Sequence, residues 1–157
     1  MSSTTFIDTD IDPGSYKILD IGCVKDNGNT NHSSSIPGFS DFLKNTTFIC
    51  GHNILNHDRK YIQDAVIDAG IHPANYIDTL YLSPLLFPKH PYHALVKDDK
   101  LQSEERNNPL NDALKARSLF YDEVNAFQHL HPDLQKIFFQ LLKTIRSCWI
   151  IFTIVRG

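Results

Sequence analysis

Apolar and polar positions change their period about a third of the way along the chain. Residues 4–11, TTFIDTDI, read as a strand, and DPGS at 12–15 reads as a turn. YKILDIGCVK at 16–25 is a second strand, so the two form a hairpin. The polar run DNGNTNHSSS at 26–35 reads as a loop with a short third strand at its end. GFSDFLKN at 38–45 predicts a short helix, and TTFICG at 46–51 a strand ending in Gly51. Helical spacing then takes over. Tyr61, Ile62, Ala65, Val66 and Ala69 share one face of a helix over 56–69, which Gly70 stops. YIDTLYLSPLLF at 76–87 reads as helix or strand-to-helix, and 88–109 as a charged, proline-bounded loop. A long helix follows from Pro109 to His129, with Leu110, Leu114, Val124 and Phe127 as its expected apolar stripe, and a last helix covers 131–144.

Strands followed by helices, with strands mixed in, predict an α/β fold: a mixed sheet of about five strands flanked by helices. The expected domain spans 1–144. The β-branched and aromatic tail at 145–157 reads as an edge strand or as the remnant of a truncation.

Composition narrows the function classes. The chain has 157 residues, 41% of them hydrophobic and 21% charged, with a net charge of -3. That is long enough for a real core, and too acidic for an obvious sequence-independent coater of nucleic acid. Three cysteines at 23, 50 and 148, with no C-x-x-C, argue against a disulfide framework or a zinc site. Reduced thiols fit a cytoplasmic protein. The N-terminus lacks the pattern of a signal peptide, and the longest apolar run, at 148–155, is too short for a membrane-spanning helix.

The unusual chemistry is acidic. Asp8 and Asp10 stand at i and i+2 of a strand, on one face and roughly 6.5–7 Å apart at Cα. Like charges so placed repel, unless a hard cation with oxygen ligands draws them together. Solvated acids on an edge strand are the plainer reading. Asp58, at the start of the 56–69 helix, falls on its core-facing stripe, and Asp112 lies in the opening turns of the long helix. Either also suits a helix N-terminus, where a carboxylate offsets the macrodipole.

Taken together and in order, these segments resemble a known family. FIDTDID is similar to the F-x-D-x-E motif of the DEDD 3'–5' exonucleases, in the ribonuclease H-like superfamily that includes the proofreading subunit of bacterial DNA polymerase III. FICGHNILNHDRKYI at 48–62 resembles its second motif, NPLNDALKARSLF at 108–120 its third, and YIDTLYLSPLLFP at 76–88 its connecting segment. The stretch KDDKLQSEERNNPLNDALKA looks like the exonuclease domain that precedes a RecQ-type helicase in some bacteria. The resemblance runs from about residue 5 to 142.

It implies a ribonuclease H-like fold and a nuclease with two Mg²⁺ or Mn²⁺ ions, about 3.5–4 Å apart, held by Asp8, Asp10, Asp58 and Asp112. One ion would generate hydroxide and the other would stabilise the leaving 3'-oxygen. The main chain near Thr9 and Asp10 would approach the terminal nucleotide, and His52 and Asn53 would line the strand-binding side, unless they serve only the loop. The implied substrate is a single-stranded 3' end of nucleic acid, with DNA preferred and RNA left open, in repair or replication. The implied partner is a fused or associated helicase.

Two departures stand out. Asp10 occupies a position where the family has Glu, which draws its oxygens back by roughly 1.5 Å and favours Mn²⁺ over the stricter Mg²⁺. The family's general base, His five residues or Tyr four residues before the last Asp, is replaced by Asn107 or Asn108. Neither takes up a proton at neutral pH, and a lost general base lowers rates by about 10²–10⁴. His90, His93, His129 and His131 read as ordinary surface residues. The alternative is therefore a degenerate exonuclease fold that binds nucleic-acid ends or a partner without cutting.

Overall fold

The computed structural model describes residues 3–95 and 108–142; Asn107, Cys148 and the 145–157 tail lie outside them. Five strands form one mixed sheet: β1 (Thr4–Ile11), β2 (Ile18–Lys25), β3 (Thr30–His32), β4 (Phe48–Gly51) and β5 (Tyr76–Asp78), in the order β3-β2-β1-β4-β5. The hairpin β1–β2 and the pair β2–β3 are antiparallel, whereas β1–β4 and β4–β5 are parallel. The expected α/β architecture with a five-stranded mixed sheet is present.

Helices cover both faces, and strand alternation sorts the core between them. Phe6, Val24, Cys50 and Ile77 pack under α3 (Thr79–Leu86), α4 (Pro109–Gln128) and α5 (Pro132–Leu142). Ile7, Ile21, Cys23, Ile49 and Tyr76 pack under α1 (Ile36–Phe42) and α2 (Arg59–Asp68). Both described cysteines are free and buried. Among the described residues no helix is long and apolar enough to cross a membrane.

The expected elements appear with shifted edges. The first helix starts earlier, at Ile36, because Ser35 caps it by accepting a hydrogen bond from the Gly38 N–H and Pro37 suits the first turn. The 76–87 segment resolves into strand then helix at Asp78, whose side chain caps α3 through the Leu80 N–H.

The largest difference concerns α4. Its buried stripe is Pro109, Ala113, Ala116, Phe120, Glu123 and Phe127, while the expected stripe member Leu114 is 39% exposed. The reason is close approach to the sheet. A side chain at Gly22 of β2 would place its Cβ 2.0 Å from the Leu110 nitrogen, so the helix start rests directly on strand backbone. Small residues must face the sheet at such a distance, and Ala113 and Ala116 do.

Candidate functional site

A cleft of about 350 Å³ opens at the ends of the central strands. It is lined by Asp8, Thr9, Asp10, Ile11, His52, Asn53, His57, Asp58, Ala94, Leu95 and Asp112. Three chain segments far apart in sequence thus bring Asp8, Asp10, Asp58 and Asp112 to one depression, with Thr9, His52 and Asn53 beside them. Asn107 lies outside the described residues.

Each acid is placed by its element. Asp8 and Asp10 alternate with Thr9, and so fall on the same face of β1 as Phe6, towards α4. Between Asp10 and Ile11 the pairing with β2 shifts register, a feature that bends a strand and re-aims its side chains. Asp112 stands in the first turn of α4, which Asn108 caps by accepting from the Leu110 and Asn111 N–H groups. Lys115, one turn on, lies 3.8 Å from the Asp112 carboxylate.

Asp58 behaves differently. It is 1% exposed, and its Oδ1 accepts from the Thr9 N–H at 2.9 Å and the Thr9 hydroxyl at 2.5 Å. Although it immediately precedes α2, its side chain makes no cap hydrogen bond, forgoing an interaction that typically stabilises a helix by about 1 kcal/mol. The Thr9 main chain, expected at the terminal nucleotide, is engaged by this carboxylate.

The His52–Asn53 loop is set from behind by Asp78. The Asp78 carboxylate accepts from the N–H groups of Asn53, Leu55 and Leu80, at 2.9, 3.1 and 3.0 Å. Asn53 is held at φ 61°, a left-handed conformation that Asn tolerates better than most residues. His52 Nδ1 lies 2.8 Å from the Thr79 hydroxyl. Burial pushes the His52 imidazole below its usual range, against the pull of Asp78. His57, beside the Asp58 carboxylate, is pushed up instead, chiefly by a hydrogen bond to it.

His57 is the titratable lining residue that the sequence reading passed over; its place directly before Asp58 was the available signal. His93 also departs from the surface reading. Its Nδ1 is buried without a hydrogen-bond partner among the described residues, and its ring stacks with His90 at 6.4 Å.

The donors are oxygen atoms of carboxylates, which suit a hard divalent cation in kind. As placed they are not gathered on a point: among the described residues no three His, Cys, Asp or Glu groups form a metal-holding cluster. Bringing them onto one ion takes side-chain movement. No protein-family model, curated protein or solved structure matches the chain.

Proposed function

We propose that this chain is a divalent-metal-dependent 3'–5' exonuclease domain of the ribonuclease H-like kind, acting on single-stranded DNA ends in repair or replication. The observation that carries the reading is the meeting of Asp8, Asp10, Asp58 and Asp112, from three separate segments, in one cleft. A five-stranded mixed sheet with helices on both faces supports it.

The carboxylates of the cleft are the groups that would hold Mg²⁺ or Mn²⁺. When bound, such ions stabilise the charge that develops at a phosphate under attack. The chain's own residues do the rest. The N-terminus of α4, seated on Gly22, directs the positive end of its dipole to the acidic side, where a backbone phosphate is favoured. Ile11, Ala94 and Leu95 give the cleft apolar surface for a base or sugar. A net charge of -3 limits phosphate contacts to a few, which suits a strand end rather than a duplex. A fused or associated helicase would present such ends.

One observation favours the second reading, a domain that binds ends or a partner without cutting. Asn108 is committed to capping α4, and an amide takes up no proton at neutral pH.

Calorimetric titration with Mn²⁺ and a labelled single-stranded oligonucleotide test both readings. Stepwise shortening from the 3' end, with Asp8→Asn abolishing ion binding, is the result expected of the nuclease. Oligonucleotide binding without shortening supports the binding domain. Internal cuts in a circular strand would rule out an exonuclease.

A further inference from the structure

We propose that Asp58 is a positioning residue, a latch that acts through Thr9 on the strand segment carrying Asp8 and Asp10, and is not itself an ion ligand. The inference rests on the metal-dependent reading above and changes its ligand set to Asp8, Asp10 and Asp112.

The need for a latch follows from sheet topology. β4 pairs with β1 only from Thr4 to Phe6 and ends at Gly51, so the second half of β1 runs on without a neighbour on that side. Ser3 turns its carbonyl towards β4, accepting from the N–H groups of Thr47 and Phe48. By strand alternation the same edge receives the backbone of Thr9. Thr9 is buried, and a buried N–H without an acceptor is strongly disfavoured. Asp58 supplies the acceptor that β4 no longer offers, and it takes the Thr9 hydroxyl as well.

The side of approach separates Asp58 from the other acids. Thr9 shares its face of β1 with Ile7, against α1 and α2, whereas Asp8 and Asp10 face α4. Asp58 therefore grips β1 from behind the two acids that flank Thr9. The grip sits just before the register shift at Asp10, where regular pairing with β2 gives way. Leaving its own helix uncapped to make this contact is consistent with a dedicated structural role.

Asparagine and alanine at position 58 distinguish a latch from a ligand. Asp58→Asn keeps an oxygen that accepts from both Thr9 donors but removes the charge; Asp58→Ala removes the acceptor. In metal-free protein, NMR hydrogen exchange should show the Thr9 amide within about threefold of wild type in Asp58→Asn, and faster by about tenfold or more in Asp58→Ala. In Mn²⁺ calorimetry, Asp58→Asn should stay within about threefold of wild-type affinity, while Asp8→Asn loses binding. If Asp58→Ala fails to fold, Thr9→Val serves in its place: it removes only the hydroxyl, and weakened Mn²⁺ binding is expected. Abolition of binding by Asp58→Asn would make Asp58 a ligand and overturn the proposal. So would equal Thr9 protection in Asp58→Ala, or unchanged Mn²⁺ affinity in Thr9→Val. Failure of the wild type to bind Mn²⁺ overturns the nuclease reading instead, and Thr9 exchange in the metal-free protein still decides whether the latch exists.

Discussion

Asp78 and Glu123 are both carboxylates with no exposed surface, close enough for the charge of one to act on the other, yet their surroundings are opposite. Asp78, at the junction of β5 and α3, receives three backbone N–H groups from two segments. Glu123 lies mid-helix on the core-facing side of α4, and neither of its oxygens has a hydrogen-bond partner among the described residues. Burial pushes both carboxyls up, Asp78 against the pull of its donors and Glu123 with nothing to oppose it, to about 9. Asp78 thus organises a loop as an acceptor. Glu123 is held as a neutral acid whose ionisation the core resists. Burial alone does not make a carboxylate stabilising; the donors around it decide.

The largest expected effect comes from breaking the satisfied side. Asp78→Ala orphans three N–H groups, each worth about 1–3 kcal/mol when buried without an acceptor. A loss of about 4 kcal/mol in urea denaturation is expected, with faster amide exchange at Asn53 and Leu55. A loss under 1 kcal/mol would mean that water replaces the carboxylate freely.

The next effect concerns pH and isolates Glu123. Below the unfolded value of 4.5 the carboxyl is neutral in both states; between there and about 9 only the unfolded chain ionises. The unfolded state then binds fewer protons, so stability falls as pH rises through this window, by about 1.4 kcal/mol per unit. Between pH 5 and 7.5 the wild type should lose about 3 kcal/mol relative to Glu123→Met, which carries no titrating group there. Parallel profiles for the two proteins would show that Glu123 finds a partner in solution.

The smallest effect tests how firmly Asp78 sets its loop. Asn53→Gly should be nearly neutral, since glycine accepts the left-handed φ, whereas Asn53→Ala should cost about 1 kcal/mol. Equal stability of the two variants would mean that the loop relaxes out of that conformation.

Much of the fold was legible because period and punctuation are local. The run TTFIDTDI, closed by the turn DPGS, marked β1 over its full length, and Pro109 marked the start of α4. The core face of α4 was read correctly at Val124 and Phe127 but misjudged in its first turns, because Leu110 and Leu114 outweigh alanines on any hydrophobic count. The preference for alanine comes from Gly22, more than ninety residues earlier, and no window along the chain contains both. Glu123 was invisible for the same reason: a glutamate in a helix reads as solvated until the sheet closes over it.

For the candidate site, sequence alone determined which side chains are available: carboxylates at a strand and at two helix starts, and amides where the resemblance leads one to expect a base. The tertiary structure decided their company. It gathered the four acids at one cleft, and it turned Asp58 to Thr9 because β4 stops at Gly51 and leaves a buried N–H to be satisfied. Identity of a side chain is written in the sequence, but the partner it takes depends on which backbone groups the fold leaves unpaired.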